Sequence, residues 1–229
     1  MTAGITAAFL KGVSLFAALE DRDLEAVAES FVPRRYKKSA MVVHEGDDAD
    51  GLYVVLKGHV GVSCMTEGGK ESLLSILKVG DIFGEMAMID RSPRSASVTA
   101  LSDSEFAVLL RERFVELLGR RPQLSPALMA SLCDRIRSTN ATLVRGALDV
   151  RARLASTLLR LEQRFGEKTE GGTRLTIRLT DQQMANMIGT TRETVNRTLN
   201  SFWDEKLIDR RTRDILISDD TSLARIATR

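Results

Sequence analysis

This sequence of 229 residues has few cysteines and histidines and no long apolar run, the features of disulfide-rich, metal-binding and membrane-spanning proteins. Its two cysteines, Cys64 and Cys133, are too few and too far apart for a disulfide framework, a zinc site or an iron–sulfur cluster. The two histidines, His44 and His59, make a metal-centred enzyme a poor fit. No apolar run approaches the roughly 20 residues of a membrane helix, and the first residues lack a signal-peptide layout. We therefore expect a cytoplasmic protein with no membrane partner.

The composition that remains is that of an ordinary globular protein with an uneven charge. Hydrophobic residues make up 43% and charged residues 28% of the chain, and its length suffices for one large or two small domains. The net charge of +2 divides into −2 over residues 1–150 and +4 over residues 151–229. The basic C-terminal third fits a polyanionic partner.

A long segment, residues 121–150, has the periodicity of a helix that pairs with another helix. Its apolar or small residues recur at alternating spacings of three and four, and most residues between them are polar or charged. A seam this narrow suits a partner helix better than a broad core. Thr139 lies within the seam and Ser138 beside it, so Thr139 either only sets the helix register or contacts a ligand. The seam positions are Met129, Leu132, Ile136, Thr139, Leu143, Gly146 and Val150.

Between Pro33 and Leu110, short strand-like runs alternate with glycine-containing or acidic turns. Many short strands within about 75 residues indicate a small β-barrel or sandwich. Helical patterns precede and follow this region, so the expected fold class is α+β. The predicted strands are residues 41–43, 52–56, 60–64, 72–76, 97–100 and 105–110.

Two segments, residues 83–89 and 93–96, interrupt the strand pattern with side chains suited to a nucleotide. Gly84 precedes a small helix whose first backbone N–H groups would be open to an anion. Arg94 adds a charged fork and Ser95 a hydroxyl donor. Glu85 repels phosphate but accepts hydrogen bonds from a sugar hydroxyl. Phosphate and ribose together indicate a nucleotide, and the alternative is a Glu85–Arg94 salt bridge that braces the loop.

These segments resemble the phosphate-binding cassette of cyclic-nucleotide-binding domains. Residues 148–159 also resemble the hinge and following helix of the Crp/Fnr family, and the resemblance to that family covers nearly the whole chain. The cassette is specific because it joins several residues in a fixed order. Its members here are Glu45-Gly46-Asp47, Leu52-Tyr53, Gly58, Phe83-Gly84-Glu85-Met86-Ala87 and Pro93-Arg94-Ser95-Ala96.

The resemblance implies a role for individual cassette residues. Gly84 and Glu85 match the positions that hold the ribose 2′-hydroxyl, with Glu85 as the acceptor. Arg94 and Ser95 match the positions that bind the cyclic phosphate. Met86, which follows Glu85 in the cassette, belongs to the same predicted ligand-binding set.

The implied ligand is cyclic AMP, whose purine would meet the long helix. Ser138 and Thr139 fall where the family contacts the base, one residue from each subunit of a homodimer, which favours a ligand contact for Thr139. A hydroxyl either donates or accepts, so it serves adenine or guanine, and cyclic GMP stays an alternative. A family branch that responds to cyclic di-GMP departs from the Glu85 pattern. Ligands for a metal, haem or iron–sulfur cluster are missing, so none is expected.

The basic C-terminal part has the pattern of a winged helix-turn-helix. Thr180 and Gln183 form a capping box at the start of a first helix, and Gly189 supplies the turn to a second helix at residues 191–203. One strand is expected before this pair, at residues 175–179. Two more, at residues 206–208 and 215–217, are expected to form the wing.

The outward residues of the second helix are suited to DNA bases. Arg192, Glu193 and Arg197 match the three base-contacting positions of the family's recognition helix, because arginine forks to guanine and glutamate accepts from cytosine. Asn196 stands where close relatives have glycine, which leaves an additional base or phosphate contact open. The alternative is a solvated face with a Glu193–Arg197 pair at i,i+4. The residues expected on DNA phosphates are Thr180, Thr191 and Arg211.

The expected architecture is a β-roll domain (residues 1–120), a dimerisation helix (121–148) and a winged helix-turn-helix domain (149–229). The resemblance implies a homodimer that binds double-stranded DNA at a palindromic TGTGA-like site when cyclic AMP is bound. It also implies activation or repression of transcription and contact with RNA polymerase. The alternatives are DNA binding without nucleotide or under another ligand, an enzyme with a regulatory nucleotide domain, and a scaffold with an inert pocket. The enzyme is disfavoured, because no catalytic domain, nucleophile–base pair or metal set remains.

Overall fold

The computed structural model describes residues 5–210 and 214–228, and their contacts divide into two compact units, Met1–Arg137 and Ser138–Arg229. The division falls within the longest helix, α5 (Leu124–Arg145). The first unit otherwise contains α1 (Ala7–Lys11), α2 (Asp21–Ala28), β1 (Phe31–Tyr36), β2 (Met41–Val43), β3 (Gly51–Lys57), β4 (Val60–Met65), β5 (Glu71–Leu77), β6 (Ile82–Phe83), α3 (Glu85–Asp90), β7 (Ser97–Ala100), β8 (Ser104–Leu110) and α4 (Arg111–Arg120). The second contains α6 (Val150–Phe165), β9 (Gly166–Thr169), β10 (Gly172–Leu175), α7 (Asp181–Ile188), α8 (Arg192–Asp204), β11 (Ile208–Asp209), β12 (Leu216–Ile217) and α9 (Asp220–Ile226).

The strands of the first unit form two antiparallel four-stranded sheets, ordered β1-β8-β3-β6 and β2-β7-β4-β5. β3 is buried on both faces, which is why it is a continuous apolar run. Leu52 and Val54 pack in a cluster with the helices, whereas Tyr53 and Val55 pack in a second cluster between the sheets. The predicted α+β class with a small β-rich domain is confirmed.

Sequence reasoning missed two strands of the first sheet, β1 and β6. β1 contains Pro33, which lacks a backbone N–H and so disfavours a strand, but β1 lies at the sheet edge, where proline is tolerated. β6 has two residues, which pair with Tyr53 and Val54 and are too few to show a period. β6 leads directly into Gly84, the residue before α3.

The helix α5 keeps the predicted apolar seam but leaves much of it uncovered. Met129 is 58% exposed, Ile136 60% and Leu143 72%. Only Leu124 and Leu128, near the start of α5, are buried. A helix with such an exposed apolar stripe is usually stabilised by packing against a partner.

The second unit contains the predicted helix-turn-helix. The Thr180 hydroxyl accepts from the Gln183 N–H, and the Gln183 side chain accepts from the Thr180 N–H, which completes the capping box. Gly189 ends α7 in the left-handed conformation, with φ of 64°, as the predicted turn requires. α8 begins at its cap, Thr191, and buries Val195, Leu199 and Phe202. The predicted helix-turn-helix is confirmed.

One predicted strand, residues 175–179, is wrong, because the observed strand β10 ends at Leu175. The chain before β10 forms a strand that was not predicted, β9, which pairs antiparallel with β10 from Gly166 to Thr169. Glu170 and Gly171 make the tight turn of this hairpin, so that Thr169 pairs with Gly172. The two wing strands form as β11 and β12, with Ile208 opposite Ile217. Arg211, predicted on the wing, lies outside the described residues.

Candidate functional site

Gly84 lies between β6 and α3 and has φ of 86°, a conformation that side chains rarely adopt. A Cβ at this position would collide with the Arg94 guanidinium and press on the Gly51 carbonyl. Glycine therefore allows the backbone to approach Arg94 closely. This geometry joins the two cassette segments.

Arg94 is folded inward, with 3% of its side chain exposed. Its guanidinium donates to Asp50 Oδ1 at 2.8 Å, to the Gly51 carbonyl at 2.9 Å and to the Gly84 carbonyl at 3.1 Å. It also lies over the Tyr53 ring, 5.5 Å from the ring centre. Tyr53 donates to Asp50, and burial, followed by the Asp50 charge, raises the pKa of its phenol.

Glu85 is completely buried, and Arg135 on α5 supplies its nearest charge. Arg135 Nη2 lies 3.0 Å from Glu85 Oε1. The contact brings opposite charges together but does not meet the angular criteria of a hydrogen bond, so neither carboxylate oxygen accepts one from the described residues. The Glu85–Arg94 salt bridge considered from the sequence is therefore not formed, since Arg94 pairs with Asp50 instead.

Ser95 and Met86 lie at the solvent-exposed edge of this cluster. The Ser95 hydroxyl is 3.9 Å from the Met86 sulfur, and Arg135 Nη1 approaches the same sulfur at 3.9 Å. The structure thus brings together Gly84, Glu85, Met86, Arg94 and Ser95. Ser138 and Thr139 are exposed on α5 and belong to the second unit.

Two residues of the cluster, Asp50 and Arg135, were not singled out from the sequence. Asp50 ends the turn before β3, and only the fold shows that it faces Arg94, which is 44 residues away along the chain. Arg135 had a local signal. It precedes Thr139 by four residues, so it lies one helical turn away on the same side of α5.

The outward face of α8 carries the residues predicted to contact DNA bases. Arg192, Glu193, Asn196 and Arg197 are all exposed and line an open depression of about 810 Å³. The backbone N–H of Glu193, followed by the Thr191 hydroxyl, lowers the pKa of the Glu193 carboxyl. No Glu193–Arg197 ion pair, the alternative considered from the sequence, forms within the described part of the chain.

Thr180 and Thr191, predicted to hold phosphates, have structural roles as caps. The Thr180 hydroxyl accepts from the Gln183 N–H at 3.1 Å, and the Thr191 hydroxyl accepts from the Thr194 N–H at 3.3 Å. Both residues are exposed at helix N-termini. Asn196 has a different environment, because its amide donates to Asp181 Oδ2 at 2.8 Å.

Arg151 joins the start of α6 to the end of α8. It donates to the Ser201 hydroxyl at 2.7 Å and to Glu205 Oε2 at 2.5 Å, and lies over the Phe202 ring at 4.8 Å. Hydrogen bonding by Arg151, followed by Ser201, lowers the pKa of Glu205. These contacts fix α8 to α6, the helix that follows α5 in the chain.

Two other kinds of site are absent from residues 5–210 and 214–228. No helix there combines the length and apolarity needed to cross a membrane. Nor does this part of the chain contain a group of three or more His, Cys, Asp or Glu side chains arranged for a metal ion. The candidate sites are the Glu85–Arg94 cluster and the outer face of α8.

Comparison with known proteins finds matches to both parts of the chain. A cyclic nucleotide-binding domain family matches residues 33–121, and a Crp-like helix-turn-helix domain family matches residues 152–226. A CRP-like cAMP-activated global transcriptional regulator of Mycobacterium tuberculosis is 33% identical over 219 residues, which covers 95% of this chain and 98% of the relative.

Two solved structures have a similar fold. FixK2 from Bradyrhizobium japonicum has a TM-score of 0.77 at 19% identity, covering 86% of this chain and 96% of that one, and this likeness concerns the fold alone. CLP of Xanthomonas campestris, described as a c-di-GMP responsive global regulator, has a TM-score of 0.71 at 26% identity. The match covers 82% of this chain and 94% of CLP.

Proposed function

The chain belongs to the Crp/Fnr family of transcription regulators, and from this premise we propose that it is a cytoplasmic homodimer that binds cyclic AMP and then a palindromic DNA site. Family membership confirms the prediction of a regulator rather than an enzyme. From the family it follows that the chain is a regulator with a cyclic nucleotide-binding domain and a DNA-binding helix-turn-helix domain. The ligand, the dimer and the form of the DNA site are the proposal.

The buried carboxylate of Glu85 is the single observation that carries the nucleotide site. Both of its oxygens lack a hydrogen-bond donor among the described residues, and a buried acceptor without a donor costs free energy. A ribose hydroxyl supplies that donor. Arg94 and Ser95 lie in the same cluster and are proposed to bind the cyclic phosphate through a cation and a hydroxyl.

The identity of the base rests on the hydroxyl pair of α5. We assign Ser138 and Thr139 to the purine, one from each subunit, because both are exposed on the helix proposed to pair. The Mycobacterium tuberculosis relative is named as cAMP-activated, which supports cyclic AMP here. Cyclic GMP is the first alternative, because a hydroxyl also donates to the guanine carbonyl. The Xanthomonas neighbour makes cyclic di-GMP a necessary competitor in any test.

The exposed seam of α5 supports the homodimer. Met129, Ile136 and Leu143 are each more than half exposed although they recur at helical spacing on one side of α5. A second copy of the same helix covers such a narrow stripe with the same residues, since a two-fold interface uses one surface twice. We propose that nucleotide binding stabilises one arrangement of this helix pair.

The exposed face of α8 supports DNA binding by the second unit. Arg192, Glu193 and Arg197 combine two guanidiniums and one carboxylate, which suit guanine and cytosine edges in the major groove. A dimer would place two such helices about 34 Å apart, one turn of duplex, as a palindromic TGTGA-like site requires. Thr180, Thr191 and Arg211 are proposed on phosphates, and RNA polymerase is the proposed further partner.

Isothermal titration with cyclic AMP, cyclic GMP and cyclic di-GMP tests the ligand. We expect saturable binding of cyclic AMP at one site per chain and at least tenfold weaker binding of the other two. A Ser95→Ala variant should weaken all cyclic mononucleotides alike, because it removes a phosphate contact rather than a base contact. No binding of any of the three would contradict the nucleotide proposal.

A further inference from the structure

Four side chains at the edge of the recognition helix form a closed ring of polar contacts. Asn196 Nδ2 donates to Asp181 Oδ2 at 2.8 Å, and Asn200 Nδ2 donates to Asn196 Oδ1 at 3.3 Å. Arg210 closes the ring, with Nη1 at 3.4 Å from Asn200 Oδ1 and Nη2 at 3.5 Å from Asp181 Oδ1. The ring joins α7, α8 and the residue that follows β11.

The chemistry of the ring fixes the orientation of the Asn196 amide. The Asp181 carboxylate only accepts, so it must face the Nδ2 end of Asn196, and the Oδ1 end must then face Asn200. The Asp181 side chain is 18% exposed and that of Arg210 22%, so this ion contact is shielded from water more than a typical surface pair. Asp181–Asn196 is the shortest link and the only one below 3 Å.

An asparagine that reads DNA uses both ends of its amide at once. It donates from Nδ2 to adenine N7 and accepts with Oδ1 from adenine N6, and specificity comes from making the two contacts together. In the ring, Asp181 holds Nδ2 and Asn200 holds Oδ1. Asn196 nevertheless lies on the same exposed face as Arg192 and Arg197, so its position is suited to the major groove, while one Nδ2 hydrogen and one Oδ1 lone pair are engaged within the ring.

We propose that Asp181 is a specificity-determining positioning residue, which holds the Asn196 amide away from DNA and leaves the base pair opposite Asn196 unread. The inference rests on the proposed function, because it concerns the same recognition helix. Asn196, which the sequence left open as an additional base or phosphate contact, would then make no base contact while Asp181 holds it. Asp181 acts through Asn196 and contacts no base.

Removing Asp181 has two consequences that differ in their dependence on DNA sequence. Loss of its negative charge strengthens binding to every duplex, because phosphates repel a carboxylate irrespective of base. Loss of its hydrogen bond frees Asn196, which then prefers adenine at one position. Asp181→Asn removes the charge but keeps an amide oxygen for Asn196 Nδ2, whereas Asp181→Ala removes both. Comparison of the two variants therefore separates the effect of the Asp181 charge on DNA affinity from the effect of its hydrogen bond on the position of Asn196.

The link between Asp181 and Asn196 is testable without DNA. Thermal unfolding of wild type, Asp181→Ala, Asn196→Ala and the double variant forms a double-mutant cycle. We expect the sum of the two single losses in Tm to exceed the loss in the double variant by about a few degrees. Fully additive losses would overturn the proposal, whether or not the protein binds DNA.

The base-reading test uses fluorescence anisotropy at fixed salt with duplexes in which each half-site position is varied through all four bases. We expect Asp181→Ala to gain about tenfold preference for adenine at one position. This gain should be absent in wild type, in Asp181→Asn, in the control Gln182→Ala and in the double variant Asp181→Ala/Asn196→Ala. An unchanged base profile in Asp181→Ala would overturn the proposal. So would an altered profile in Asn196→Ala alone, which would mean that Asn196 already reads a base. Failure of wild type to bind any duplex would instead refute the proposed function, and the thermal cycle would still decide the Asp181–Asn196 link.

Discussion

Replacing Glu85 by glutamine is predicted to affect stability and ligand affinity in opposite directions. Glu85 is completely buried, and among the described residues its carboxylate has the off-angle ion contact with Arg135 and no hydrogen bond. The Arg135 side chain is 39% exposed, so it returns to water when its partner is neutralised. Glutamine keeps the shape of the side chain while removing the cost of a buried charge.

The sizes of the two effects follow from that environment. We expect the free energy of unfolding of Glu85→Gln without ligand to be unchanged or higher by about 1–2 kcal/mol, which corresponds to about 2–8 °C in Tm for a chain of this length. With cyclic AMP, the variant loses a charge-assisted hydrogen bond of about 1.5–3 kcal/mol, so its Kd should rise by about 10- to 100-fold.

Thermal unfolding and isothermal titration of the same preparations measure both effects. Glu105→Gln is the matched control, because Glu105 makes only a surface ion contact of 3.6 Å with Arg35 and should change neither quantity. A Glu85→Gln variant that melts lower and binds cyclic AMP as tightly as wild type would refute the reasoning. Glu85 would then be a structural partner of Arg135.

Three further predictions concern the dimer seam, a helix cap and pH. Ile136→Glu places a charge in the exposed seam, and sedimentation velocity should show a monomer, whereas wild type and the control Ala130→Glu, at an exposed position away from the seam, stay dimeric; a dimeric Ile136→Glu would contradict the seam. Thr180→Ala removes the α7 cap and should cost about 1 kcal/mol in urea unfolding, and an unchanged stability would show that the cap is dispensable. Hydrogen bonds from Arg151, then Ser201, lower the pKa of Glu205, so this carboxylate stabilises the fold above its ordinary pKa and ceases to do so as pH falls through the lowered one. Urea unfolding should thus find wild type more stable than Glu205→Gln at neutral pH, by a difference that shrinks as pH falls below the ordinary glutamate pKa and vanishes below the lowered one. A difference that is constant with pH would contradict the Arg151 contact.

Features that depend on neighbouring residues were predictable from the sequence. The capping box at Thr180 and Gln183, the turn at Gly189 and the inward positions of α8 follow from local spacing and are confirmed in the structure. The wrong strand at residues 175–179 also has a local cause, since alternation alone does not show where a hairpin turns. The β10 strand is set by pairing with β9 and β12.

Contacts between distant residues were not predictable in the same way. Asp50 and Arg94 are 44 positions apart, and Asp181 and Arg210 are 29 apart. Their pairing depends on how strands and helices assemble, which no single segment encodes. Asn196 shows the consequence, because its outward position was evident from the helix period while its engagement by Asp181 was not.

The central claim is that a cyclic nucleotide controls DNA binding, and fluorescence anisotropy of a labelled duplex with inverted TGTGA-like half-sites tests it most directly. The protein would be titrated at fixed salt with no nucleotide, with cyclic AMP and with cyclic GMP, since phosphate contacts make affinity salt-dependent. We predict tight binding only with cyclic AMP, and loss of that dependence in Glu85→Gln at cyclic AMP concentrations that saturate wild type. Equal affinity under all three conditions would contradict ligand control of this regulator.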